Sequence, residues 1–260
     1  MGPAARVTTP LRDAAHSPGR QASSGTRASN TQLHVGGLVP LTTTDYPDRL
    51  ACVVFVQGCP WRCLYCHNPH LQDRRAPACN GWAEVRAFLL RRVALLDAVV
   101  FSGGEPTVDR ALPATIRTVR ELGFAVGLHT AGAYPARLEA LLPLVDWVGM
   151  DVKTDLAEYD QVTRTSGSAA RALASIELLL ASGIDCEFRT TYHPALIEES
   201  TLLALADRLA RMGVRRYALQ AFRPQGCNTS RLGSAAVRIA PALAQRIAAR
   251  FPEFVLRAEN

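Results

Sequence analysis

The chain has 260 residues, 48% of them hydrophobic and 20% charged, with seven cysteines and a net charge of +6. This length suffices for one sizeable core, no run approaches the roughly 20 apolar residues of a membrane span, and an odd cysteine count without a secretory signal is no disulfide framework. Residues 1–32 hold four arginines against one aspartate, half of the charge, so the rest is only mildly basic and no nucleic-acid partner is expected. Rich in Ala, Arg, Ser and Thr, residues 1–32 read as a disordered tail or an over-extended gene start. Residues 33–260 read as one domain, in a reducing cytoplasm.

From Leu33 to Leu50, Val-rich pieces with Gly36-Gly37 and Pro47 suggest a short strand or hairpin leading in. Val53–Val56 is an unbroken apolar strand, followed by a cysteine loop and a helical stripe of Trp82, Val85, Leu89 and Val93. A second strand, Ala98–Phe101, runs into Ser102-Gly103-Gly104-Glu105-Pro106 and a helix opening near Pro113 and closing at Gly123. Phe124–Leu128 ends in His129-Thr130-Ala131-Gly132, with a short helical piece to about Leu142, and Val145–Met150 ends in Asp151-Val152-Lys153. Ser168 is placed to cap a helix presenting Ala169, Leu173, Ile176 and Leu180, stopped by Gly183. Ile184–Thr190, a stripe of Leu202, Leu205, Leu209 and Met212, Tyr217–Phe222 and a last helix over Pro241–Phe251 complete the chain.

Six strand–helix units in strict alternation imply a parallel sheet with right-handed crossovers. Every unusual polar string falls at the C-terminal end of a strand, which is barrel behaviour, whereas a doubly wound sheet concentrates its site at one switch point. The expected fold is α/β, a partial (β/α)6 TIM-like barrel.

The cysteine loop carries the chemistry. Cys59, Cys63 and Cys66 follow the spacing C-x3-C-x2-C. Three thiolates on so short a loop suit a soft metal centre; a closed zinc site wants four ligands, whereas a cubane iron–sulfur cluster held by three leaves one iron open. With Tyr65 before the last cysteine and Gly103-Gly104-Glu105-Pro106 one unit later, the chain resembles the radical S-adenosylmethionine (SAM) superfamily. The string from Gln57-Gly58-Cys59 to Cys66-His67-Asn68-Pro69, preceded by Thr44-Asp45-Tyr46-Pro47, is similar to glycyl-radical enzyme activating proteins of the anaerobic ribonucleotide reductase type. The likeness runs from about Gly36 to about Pro224 and implies the six-stranded barrel independently.

The resemblance implies a 4Fe–4S cluster on Cys59, Cys63 and Cys66, with SAM chelating the open iron through its amino and carboxylate groups. Reductive cleavage would give methionine and a 5′-deoxyadenosyl radical that abstracts a glycine hydrogen from anaerobic ribonucleotide reductase. A flavodoxin or ferredoxin would supply the electron. Gly103 and Gly104 would let backbone approach SAM, Glu105 would accept a hydrogen bond from its ammonium, and Tyr65 would pack on its adenine. Lys153 and Arg189 are candidates for its carboxylate, each with a structural ion pair to Asp151 as the plain alternative.

Relatives tend to read Asp-Thr-Asn-Gly where this chain has His129-Thr130-Ala131-Gly132, and in them that aspartate and the one matching Asp151 are thought to hold a monovalent cation. His129 is therefore expected to pair with Asp151 and assume part of the cation's role, leaving SAM cleavage indifferent to potassium. His193, Gln220 and Arg223 are weaker candidates at the mouth. Cys52 and Cys186 read as packing thiols, and Cys79 and Cys227 have no partner at metal spacing. Two other readings stay open: a radical SAM enzyme acting on a small molecule, nucleoside or peptide, and a non-catalytic zinc module completed by His67, His70 or Cys79.

Overall fold

In a computed structural model, residues 32–76, 81–227, 232–233 and 235–257 are described. A single sheet runs in the order β1 to β8: Val35–Thr42, Ala51–Val56, Ala98–Gly103, Ala125–Thr130, Trp147–Asp151, Cys186–Tyr192, Arg216–Ala221 and Glu253–Arg257. β1 pairs antiparallel with β2, and every later pair is parallel. The sheet is open, a partial barrel. The expected strands are β2 to β7; β1 is the anticipated lead-in, and β8 is an addition that the sequence did not announce.

Helices α1 (Trp82–Leu90), α2 (Leu112–Glu121), α3 (Pro135–Leu141), α4 (Tyr159–Thr163), α5 (Ser168–Ser182), α6 (Glu199–Arg211) and α7 (Pro241–Ala248) connect the strands. β2 is apolar throughout because both of its faces are covered. Cys52, Val54 and Val56 join the core beneath the helices, whereas Ala51 and Val53 join Val39, Tyr46, Ala98, Val100 and Trp147 inside the curled sheet. The floor of the barrel is thus dry, and Tyr46 seals it against Trp147 with ring centroids 5.4 Å apart. Each valine of this cluster withdrawn from water contributes about 1.5–3 kcal/mol.

Several local expectations shift. α1 stops at Leu90, leaving Val93 exposed beyond its end. α5 buries Ser168, Ala172, Ser175, Ile176 and Leu179, so only Ile176 of the expected stripe is fully covered. Ser168 is its first residue and does not cap it. Asp160 does so from outside the helix, accepting from Gly167 N (2.7 Å), Ser168 Oγ (2.8 Å) and Ala169 N (3.0 Å), and these bonds hold its carboxyl below the usual range.

Candidate functional site

The cysteine loop leaves β2 through Gln57 and Gly58, and both are needed to turn it. Gln57 is buried and its Nε2 donates to the carbonyls of His70 (3.0 Å) and Asp73 (2.6 Å), clamping the loop's return. Gly58 takes a positive φ of 108°, which disfavours any side chain. Farther out, Arg62 N donates to Thr163 O (2.9 Å) and Leu64 N to Val162 O (3.1 Å), so the backbone is fixed to α4 without help from sulfur.

Cys59, Cys63 and Cys66 are free and half-buried. Burial pushes the Cys59 thiol up to about 12 and Cys63 up to about 11, and the neighbouring thiols add to the rise. Cys59 and Cys63 therefore ionise poorly alone and ionise readily when a cationic centre compensates them. Among the described residues, no three His, Cys, Asp or Glu side chains converge on one single-ion position.

β3 ends beside this loop. Gly104 N donates to Val56 O (3.0 Å) and Glu105 N to Gly58 O (2.9 Å), stitching the two loops together. A Cβ on Gly104 would collide with the Gly58 carbonyl and lie 2.9 Å from Leu71 O, so only glycine permits the approach. Glu105 is fully buried, and its carboxylate is met by protein donors. Oε1 accepts from Thr107 N (3.1 Å), Thr107 Oγ1 (2.6 Å) and Thr130 Oγ1 (2.8 Å), and Oε2 from Ala131 N (2.8 Å). The Glu105 carboxylate thus ties the β3 and β4 exits together.

Inside the mouth, Lys153 Nζ lies 2.9 Å from the Asp151 carboxylate and 5.7 Å from the Tyr65 ring centroid. Burial favours the neutral forms of this pair, but their mutual attraction wins. Asp151 is held below and Lys153 well above its ordinary value. The Tyr65 hydroxyl is buried without a hydrogen-bond partner among the described residues. Arg189 lies beside Asp151 in the β5–β6 register and stacks on Trp147 at 5.2 Å. Its Nε is 3.2 Å from Glu187 Oε1, a pairing without hydrogen-bond alignment, and its Nη2 has no hydrogen-bond partner among the described residues. Gly149 makes room for this guanidinium, since a Cβ there would land on Nη2.

Two members of this polar layer escaped the sequence reading. Arg257 on the unforeseen β8 reaches Glu187 Oε1 (2.8 Å) and Gln220 Oε1 (3.1 Å). Glu187 was hidden in a strand whose alternation marks it only as inward-facing.

His129 corrects an expectation. It does not pair with Asp151, whose carboxylate is taken by Lys153; instead its Nε2 bonds the Asp45 carbonyl at 2.8 Å, and its ring meets Trp147 edge-on at 5.6 Å. Burial and then the Arg189 charge lower its pKa to about 4, so near neutrality it is an uncharged ring that cannot replace a cation. A consequence can be measured. Between pH 6.5 and about 4 the unfolded ring binds a proton that the folded ring refuses, so stability must fall as pH drops through that window. Urea midpoints taken near neutrality and at about pH 5 should show a smaller loss for His129→Gln than for the wild type. An identical acid loss in both would mean that His129 is not the group refusing the proton.

His193 Nδ1 accepts from Ala195 N (3.1 Å), its Nε2 bonds Leu232 O (3.2 Å) and its ring packs on Phe222. Of the proposed fourth zinc ligands, His67 bonds the Arg223 carbonyl at 3.0 Å, His70 is exposed, and Cys79 lies outside the described residues. Cys52 is fully buried, and Cys186 packs half-buried against the same core. No described helix is long and apolar enough to cross a membrane.

The chain is similar to known proteins. A profile of the Radical SAM superfamily matches residues 53–207. A protein assigned as a glycyl-radical enzyme activating enzyme in Methanocaldococcus jannaschii is 32% identical over 200 residues, 74% of this chain and 80% of that one. The pyruvate formate-lyase-activating enzyme of Clostridium pasteurianum is 34% identical over 106 residues, 39% of this chain and 44% of its own length. In fold, the chain is similar to SuiB of Streptococcus suis bound to S-adenosylmethionine. There the TM-score is 0.59 at 14% identity, covering 78% of this chain and 48% of SuiB.

Proposed function

This chain belongs to the Radical SAM superfamily, and from that premise we propose that it is an activating enzyme that installs a glycyl radical on anaerobic ribonucleotide reductase. Its cofactors are a 4Fe–4S cluster and SAM. When bound, that pair supplies a low-potential electron to the sulfonium C–S bond and so a radical able to take a glycine hydrogen. Three free thiols on a pre-fixed loop, together with a glycine edge that any Cβ would block, fit the group.

In this reading Cys59, Cys63 and Cys66 hold the cluster. The backbone at Gly103 and Gly104 admits the methionine end of SAM, while Glu105 positions that edge through Thr107, Thr130 and Ala131. Lys153 and Arg189 put positive charge where a carboxylate needs it, with Asp151 orienting the lysine. Tyr65 offers a buried aromatic face for the adenine. His129 contributes a neutral, water-excluding wall beneath. A flavodoxin or ferredoxin is the electron donor.

The observation that carries the partner class is the 32% identity spanning four-fifths of the Methanocaldococcus jannaschii relative. The choice of reductase rests on the Asp45-Tyr46-Pro47 lead-in together with the Cys59 to Pro69 string. The test uses anaerobically reconstituted, reduced protein with SAM and a ribonucleotide reductase carrying a C-terminal glycine motif. A glycyl-radical doublet in the reductase by electron paramagnetic resonance is the expected outcome. SAM cleavage without that signal, but with a modified nucleoside or peptide product, would favour the small-molecule reading.

A further inference from the structure

Cys227 holds neither the cluster nor SAM in the proposed function. It follows β7 in a segment laid against the cysteine loop by contacts at three points. His67 Nε2 bonds the Arg223 carbonyl at 3.0 Å, and Gly226 approaches the His67 carbonyl so closely that a Cβ would overlap it. Cys227 Sγ donates to the Tyr65 carbonyl at 3.3 Å. These contacts put a fourth thiol beside Cys66. In a planar trans peptide a carbonyl oxygen lies ~2.8 Å from the next Cα. Cys227 Sγ is therefore within roughly 6 Å of the Cys66 Cα, close enough for side-chain rotation and a small loop adjustment to reach disulfide geometry. Both thiols are free and half-buried, within reach of a small reagent.

We propose that Cys66 and Cys227 form a redox latch that closes when the loop holds no iron. The oxidant is a small-molecule disulfide. One cysteine displaces one of its thiols to give a mixed disulfide, and the other cysteine displaces the second. The two cysteine sulfurs thus lose two electrons, and the reagent leaves as two thiols carrying both protons. Closing the latch removes one of three cluster ligands and keeps Cys66 from irreversible oxidation to sulfinic or sulfonic acid. This rests on Cys66 being a cluster ligand, but its readout is a covalent bond that requires no radical chemistry.

The test uses full-length protein stripped of iron, treated anaerobically with oxidised glutathione, alkylated and mapped by mass spectrometry. The dominant internal disulfide should join Cys66 to Cys227, and it should persist in Cys63→Ser, which removes the competitor nearest in sequence. Cys227→Ser keeps a donor for the Tyr65 carbonyl. With oxidised glutathione present it should take up iron and sulfide roughly tenfold better than wild type, and with dithiothreitol the two should load alike. Linkage confined to Cys59, Cys63 and Cys66, Cys227 carrying only glutathione, or equal loss of iron uptake in both proteins would overturn the proposal.

Discussion

Cys63→Ala is expected to yield a folded protein that binds almost no iron and cleaves SAM at least about a thousandfold more slowly than wild type. The two halves of this result have separate causes. Folding should survive because the loop lies outside the strand–helix layers and its backbone is tied by Arg62 N to Thr163 O and by Leu64 N to Val162 O, bonds that alanine leaves intact. A half-buried cysteine that becomes alanine at such a site should cost no more than about 1 kcal/mol. The cluster should fail because two thiolates remain where three are needed, and the nearest imidazole in the loop, His67, is engaged with Arg223. Iron and sulfide analysis beside a thermal melt separates the two. Full loading with undiminished SAM cleavage would refute the ligand assignment.

Gly104→Ala should do the opposite damage, harming the scaffold first. Its added methyl group meets backbone on two sides, the Gly58 carbonyl and Leu71 O, and neither can rotate away as a side chain would. The cysteine loop and the β3 exit must part, losing the bonds from Gly104 N to Val56 O and from Glu105 N to Gly58 O, and the cost should reach about 3 kcal/mol or more. Iron loading should fall with it because Gly58 directly precedes Cys59. Gly81→Ala is the control: among the described residues a Cβ there meets nothing within 4 Å, and the change should stay within about 1 kcal/mol. Chemical denaturation of the three proteins distinguishes a jammed crossing from a general intolerance of alanine. Equal stability of all three would show that the two loops are not locked as described.

What the sequence reveals and what it hides divides by range. The cysteine loop, the Gly-Gly edge and strands β2 to β7 are local signals, and the strand ends shift by no more than two residues. Interactions between distant residues were not legible. Glu105 meets Thr130 across 25 residues, His129 meets Asp45 across 84, and Cys227 meets Tyr65 across 162. No periodicity marks such partners. β8 escaped for a different reason: its burial pattern lacks a fully covered face, so Glu253–Arg257 never displays the alternation of an inner strand. With β8 went Arg257 and the completion of the Glu187 charge layer. His129 shows how a substitution can mislead: an imidazole in place of a carboxylate suggested a titratable partner for Asp151, whereas burial made the ring neutral and Lys153 had already taken that place.

In the proposed function, three thiols hold a cluster whose open iron receives SAM. The most direct measurement is the electron paramagnetic resonance spectrum of anaerobically reconstituted, dithionite-reduced protein, recorded without and with SAM. The expected sample is brown, with about four irons per chain and a reduced 4Fe–4S signal that changes shape when SAM is added. A colourless protein carrying zinc, or a cluster signal indifferent to SAM at saturating concentration, would contradict it.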